Sequence, residues 1–446
     1  LRSQNEDQKV SLKGGFVADD GSEIAINYAN QQGEKEQPPV TDTAFAQNKY
    51  WDWPYWDKET ISITGQKNFQ NSYIKALAYY DKSKNSLLSY ADNTYSTFNT
   101  QGRTFKSRYD AYSYGARLEF GLETNDNFLK LAANYKKDVH QGYDISKTVN
   151  AETLTERYKD NTLSLGIEDN YKISSDLELI AGISYDKREG DEIFDTNTAF
   201  LDKLTLASED AISPQAALLY TLDASSKLRA SVSQKTYMPT MKDRYSRRLG
   251  FGAPNVDLEN ERAMHYELAY KKFHGGLSGG VNLYLTKVDD AIQNTVFAPD
   301  PSLFQNQNVG SFDHSGAEFE LEYKTDKSSV GGNYSYVSIK NTKDTEVKIV
   351  DVPEHQIFFY GQRELQKNLS VYANMKYRKG AYEQKMDRTY VINPAFATFD
   401  VKLSYMALKN LTAEVGIKNL TDELVRYDYA YPMAGREYFA SLDYRF

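Results

Sequence analysis

The last nine residues, Tyr438-Phe-Ala-Ser-Leu-Asp-Tyr-Arg-Phe446, alternate with a period of two, and only Phe439 breaks the rule. Tyr438, Ala440, Leu442, Tyr444 and Phe446 point to one side of an extended chain, Ser441, Asp443 and Arg445 to the other. One face suits hydrocarbon and the opposite face suits water, which is the pattern of a strand that crosses a membrane as part of a barrel. An amphipathic edge strand of a soluble sheet shows the same alternation but seldom ends flush with the chain.

Composition supports the membrane reading. The 446 residues include 36 Tyr, 21 Phe and 3 Trp, an excess of amphipathic rings of the kind that forms aromatic girdles at both membrane interfaces. No apolar run approaches the roughly 18 residues of a transmembrane helix, so any crossing has to be made by strands. Cysteine is absent, as suits an oxidising periplasm and cell surface. A net charge of -9 provides no basic face for nucleic acid. The chain opens on Leu1-Arg-Ser-Gln, without an initiator Met or a hydrophobic leader, so removal of a signal peptide is expected.

Period-two segments bounded by turn residues predict about nineteen strands along residues 1–446, read as one β-barrel domain. Leu411, Ala413, Val415 and Ile417 alternate with Thr412, Glu414, Gly416 and Lys418, and are expected to face lipid. Segments 399–405 and 177–185 follow the same rule, and the first clear one is 9–18. Tight turns such as Asp19-Asp20-Gly21, Gln70-Asn71, Gly275-Gly276 and Lys409-Asn410 alternate with longer polar loops near 33–57, 84–107, 139–156, 188–209, 238–261, 293–305, 341–351, 379–392 and 421–434. Short periplasmic turns and long outer loops are the asymmetry of an outer-membrane barrel. With the turns periplasmic, the strands at 9–18 and 436–446 both run inward from the outside. A closed bacterial barrel needs an even count, so an odd number of strands is expected before residue 1 and the chain is expected to be an amino-terminally truncated barrel.

Several motifs then resemble those of TonB-dependent outer-membrane receptors. Asn255-Val-Asp-Leu-Glu-Asn-Glu261 with Tyr266-Glu-Leu-Ala-Tyr270 resembles the segment NPxLxPE…YELGYK; Asn308-Val-Gly310 with Ser315-Gly-Ala-Glu318 resembles NVGxxxxxGxE. Lys418-Asn-Leu-Thr-Asp422 is similar to KNLTD, and the ending from Gly435 is similar to GRxYxxSLxYRF. Val256 and Asn260 stand where the family carries proline, which leaves that turn less stiff. The resemblance implies an all-β transmembrane antiparallel barrel of 22 strands, with three strands and a plug domain before Leu1, in the outer membrane of a Gram-negative bacterium. It also implies import of a scarce large ligand, a ferric siderophore, driven by the TonB-ExbB-ExbD complex through the plug. The terminal signature of Tyr438, Leu442, Tyr444 and Phe446 resembles the signal read by the barrel assembly machinery. A passive porin, or an outer-membrane enzyme or adhesin on an unrelated barrel, is the competing reading.

Two clusters are candidate ligand sites. Trp51, Trp53, Tyr55 and Trp56 form either a stacking surface for an aromatic or metal-chelate ligand or an interfacial belt at headgroup depth. Arg244, Tyr245, Arg247 and Arg248 lie in a long outer loop, where guanidinium groups bind anionic chelates, pair with lipopolysaccharide phosphates, or neutralise the loop's own carboxylates. Arg103, Lys106 and Arg108 repeat the signal more weakly. His140, His265, His274, His314 and His355 show no ligand spacing, and 238–254 lacks the His that haem receptors of this family carry there, so haem uptake is disfavoured and no cofactor is implied. There is no GxSxG, no HExxH and no glycine-rich phosphate loop, so no enzyme activity is expected.

Overall fold

Alternating strands joined by tight turns can bury their backbone polar groups only against one another, and the chain does this in a single long meander. A computed structural model describes residues 4–99, 104–197, 200, 204–247 and 250–445. The wall begins with β1 (Asn5–Val17), β2 (Glu23–Glu36), β3 (Trp51–Asn68), β4 (Ser72–Ser89) and β5 (Phe105–Glu123). It continues through β6 (Asn127–Ile145), β7 (Glu152–Lys172), β8 (Leu177–Asp195), β9 (Ser208–Asp223) and β10 (Ser226–Tyr237). After the one-turn helix α1 (Met241–Tyr245) and the two-residue β11 (Gly252–Ala253) come β12 (Glu261–His274), β13 (Leu277–Val296), β14 (Phe304–Lys324) and β15 (Ser328–Asn341). Then follow β16 (His355–Gln366), β17 (Leu369–Lys379), the loop hairpin β18 (Tyr382–Gln384) and β19 (Tyr390–Ile392), and finally β20 (Phe396–Leu408), β21 (Leu411–Lys418) and β22 (Glu437–Tyr444).

Leaving aside β11, β18 and β19, every strand pairs antiparallel with its neighbour in this order, which makes nineteen wall strands among the described residues. That matches the strand count expected from the alternation. Among the described residues β1 pairs with β2 alone and β22 with β21 alone. The turns fall where the sequence placed them. At Gly275-Gly276 the first glycine has φ +58°, and a Cβ on the second would lie 2.0 Å from the Lys324 carbonyl oxygen, so no larger residue fits there.

The outside of the sheet is apolar and exposed, as a hydrocarbon solvent requires. Leu163, Leu165 and Ile167 are 40–45% exposed on one face of β7. Val415 is 55% exposed, whereas Glu414 on the other face accepts from Lys402 Nζ and Ser404 Oγ, both at 2.8 Å, and from Ser441 Oγ at 3.4 Å. The expected facing of β21 is therefore observed. Tyr438, Leu442 and Tyr444 line up on the outer face of β22, and Phe446 lies outside the described residues. Phe439, the one exception to the terminal alternation, turns inward because its register partner is Gly416, over which its ring packs.

On the long-loop side the strands run well beyond the expected ends. β6 continues to Ile145 and β8 to Asp195, where loops were expected from 139 and 188. In these stretches the apolar alternation stops while backbone pairing continues, to Ile145 opposite Glu152 and to Asp195 opposite Glu156. At that end three loops lock together. The Thr41 N–H donates to the Ala430 carbonyl at 2.9 Å, Met386 N–H donates to Ala44 at 2.9 Å, and the Phe45 and Tyr429 rings stack at 4.3 Å. The early and late parts of the wall thus meet, which curls the sheet around a lumen.

Candidate functional site

Cross-strand neighbours share a face, so the register of β4 to β8 shows which residues look into the lumen. His140 on β6 lies between Ala111 on β5 and Tyr158 on β7, with Gly142 opposite Tyr109. The spacing of paired strands sets their rings side by side. Tyr109 and His140 have centroids 5.9 Å apart at 25°, and His140 and Tyr158 are 6.2 Å apart at 8°. These rings form part of the wall of a cavity of about 1340 Å³ that also receives Asp144, Glu156, Asp160, Arg188 and Arg247.

The aromatic row is held by a polar chain. His140 Nε2 is 3.1 Å from Glu156 Oε1, and the Tyr158 hydroxyl donates to Asp195 Oδ2 at 2.7 Å. Arg247 Nη2 donates to the second oxygen of the same carboxylate at 2.6 Å. The Asp195 side chain is 1% exposed and that of Arg247 16%. Burial in this geometry makes the pair strong while intact and costly to break. Tyr245, from α1, lays its ring 5.0 Å from Tyr158, and burial pushes its phenol above the usual range.

The loop 238–260 is fixed over the cavity from both sides. Thr240 caps α1: its hydroxyl accepts from Asp243 N–H at 3.3 Å, while its own N–H donates to Asp243 Oδ2 at 2.9 Å. From the wall, Arg188 Nη1 donates to the carbonyls of Met238 at 2.8 Å and Pro239 at 3.1 Å. On the far side β11 pairs with the start of β14, Asn255 Nδ2 donates to the Asn306 carbonyl at 2.8 Å, and Asn308 Nδ2 donates to the Glu259 carbonyl at 2.9 Å. Leu258 is wholly buried. The motifs at 255–261 and 308–310 therefore bind one another, and their role here is to hold the loop.

The structure separates the residues of the arginine cluster. Arg244 is fully buried, with Nη2 3.8 Å from Glu209 Oε1, and Tyr245 is 1% exposed; neither presents itself at the loop surface. Arg247 lines the cavity, and Arg248 lies outside the described residues, as does Arg103. Lys106 and Arg108 are engaged by Asn150 and Glu152.

The tryptophans sit on β3. Its ladder with β4 slips by one residue between Asp52 and Tyr55, with Pro54, which has no N–H to offer, inside the slip. The slip turns Trp53 and Trp56, three residues apart, to one side, where their centroids are 6.2 Å apart, and Trp51 meets Trp53 at 5.9 Å. Lys58 and Thr60, on the same face as Trp56, line the cavity, while Ile61 and Ile63 are exposed on the other. The indoles thus belong to the inner side of the wall, and Tyr55, adjacent to Trp56, points the other way. Trp51 reaches the cavity through Phe105, 6.3 Å away.

The sequence singles out none of Tyr109, Tyr158, Arg188 and Asp195, and it offers His140 only as a histidine without ligand spacing. His140 and Asp195 fall in stretches read as loop, and only the continued register of β6 to β8 brings these side chains together. Among the described residues no group of His, Asp and Glu is arranged to hold a metal ion.

Solved structures similar to this chain share its fold at low sequence identity. The copper transporter OprC superposes with a TM-score of 0.82 at 15% identity, covering 100% of this chain and 73% of that one. The siderophore receptor PiuA from Acinetobacter baumannii gives 0.79 at 15% identity, over 99% of this chain and 74% of that one. The ferric-catecholate import receptor Fiu from K12 E. coli gives 0.74 at 15% identity, over 100% and 75%. A family model described as TonB dependent receptor-like, beta-barrel matches residues 4–420, and the chain belongs to that family.

Proposed function

We propose that the protein is an outer-membrane receptor of a Gram-negative bacterium that captures a metal chelate of the ferric siderophore class and imports it with energy delivered through TonB. The observation that carries this reading is the lumen cavity of about 1340 Å³, with the Tyr109, His140 and Tyr158 rings and Arg247 in its lining beneath a pinned outer loop. A volume of that order suits a ligand far larger than a bare ion. Flat rings offer stacking and the cavity cations offer pairing to a chelate that carries both aromatic and acidic groups.

The test is growth of a deletion strain, complemented or not, on a panel of single iron sources and on limiting copper. Loss of one chelate, restored by the intact gene and accompanied by loss of radioactive chelate binding to whole cells, supports the reading. Unchanged growth and binding across the panel with normal surface abundance would overturn it. Selective loss of copper uptake would move the cargo from iron to copper.

A further inference from the structure

The three indoles on the inner side of β3 stand as walls. Trp51 and Trp53 meet at 82°, Trp53 and Trp56 at 65°. Two lysines place their ammonium groups against these rings. Lys35 Nζ lies 3.4 Å from the centroid of Trp56 and 4.8 Å from that of Trp53, and Lys49 Nζ is 4.6 Å from that of Trp51. Among the described residues neither ammonium has a carboxylate within ion-pair distance, so the ring faces are their principal company.

An aromatic face attracts a cation through its quadrupole, most strongly when the ring is indole and the site is partly dry. The three tryptophans are half-buried. The ring faces are what draw cations here, and two ammonium groups already sit on them. Lys35 reaches the site on a flexible stem from the end of β2, so its ammonium is an occupant that can be displaced.

We propose that the Trp51, Trp53 and Trp56 cluster is a binding site for an organic ammonium group, kept filled by Lys35 until a ligand's own ammonium replaces it. The contact of Trp51 with Phe105 puts the site beside the cavity, within reach of a cationic arm of any molecule lodged there. The site does not depend on which chelate, if any, occupies the cavity.

All 3 tryptophans of the chain lie in this cluster, so tryptophan emission reports on it alone. The experiment titrates the purified protein with tetramethylammonium chloride, using sodium chloride at equal ionic strength as the control, and compares the wild type with Lys35→Met. A saturable change in emission is expected in both, with apparent affinity about ten-fold tighter in Lys35→Met, since the competing cation is gone. Trp56→Leu should abolish it. No saturable change beyond the sodium control in a Lys35→Met barrel that remains heat-modifiable would overturn the proposal and leave the lysine a structural strut. Should Lys35→Met fail to assemble, Lys35→Gln carries the same expectation. If neither assembles, Lys35 is indispensable to the wall and the proposal falls.

Discussion

Thr41 and Ala430 are 389 residues apart, yet the Thr41 hydroxyl and N–H both donate to the Ala430 carbonyl, at 3.0 and 2.9 Å. One lies in the loop between β2 and β3, the other in the loop between β21 and β22. These loops bring the early and late parts of the described wall into contact.

The Phe45 and Tyr429 rings, stacked beside that bond at 16°, should carry a measurable share of the closure. A double-mutant cycle with Phe45→Ala and Tyr429→Ala is expected to give a coupling of about 0.5–1.5 kcal/mol in urea unfolding. Amide exchange should accelerate at 41–45 and 428–431 and stay unchanged in β12 and β13. Strictly additive effects would mean that the stack does not fasten the loops.

Facing in β21 can be checked by charge. Val415→Arg places a guanidinium in hydrocarbon and should cost roughly 2–4 kcal/mol if the site is near the midplane, whereas Thr412→Arg, on the lumen side, should cost less than about 1 kcal/mol. Folding titrations into liposomes measure both. The reverse ranking would mean that the strand is turned the other way.

Gly416 is where the inward ring of Phe439 finds room; a Cβ there would meet the ring at 2.6 Å and the Val401 carbonyl oxygen at 2.8 Å. Gly416→Ala should lower stability by about 1–3 kcal/mol. Removing the ring with Phe439→Ala should recover only part of this loss, since the contact with the carbonyl persists. Equal stabilities of Gly416→Ala in the presence and absence of Phe439 would show that the ring is not the obstacle.

Arg247 and Asp195 tie the outer loop to the wall. Arg247→Gln leaves a carboxylate that is 1% exposed without its cation, at a cost of about 3–5 kcal/mol, and frees the loop. Chelate binding by whole cells is expected to weaken while surface abundance holds. Asp195→Asn in the same background should restore part of the loop's resistance to protease, because an amide needs no cation. Wild-type chelate affinity in Arg247→Gln at normal abundance would remove the pair from the binding function.

The barrel was legible in the sequence because each membrane crossing writes its solvent into the chain. Val415 against Glu414, or Ile61 and Ile63 against Thr60, show by alternation alone which side meets hydrocarbon, and turns such as Gly275-Gly276 punctuate the count. The tryptophan patch could be located the same way, but not its side of the wall, since one slipped residue at Pro54 reverses the parity on which facing depends.

Sequence alone determined the architecture, the inner and outer faces of the crossing strands, and the family motifs that fasten the outer loop. Tertiary structure alone decided the candidate site. Tyr109, His140, Tyr158 and Asp195 come from four strands, and His140 and Asp195 lie in stretches that the sequence marks as loop. Arg244 and Arg247 look alike in the chain, and a one-turn helix buries the first while delivering the second to Asp195. Local pattern encodes what solvent each residue meets; which residues meet one another is set by register summed over many strands, and no single segment contains it.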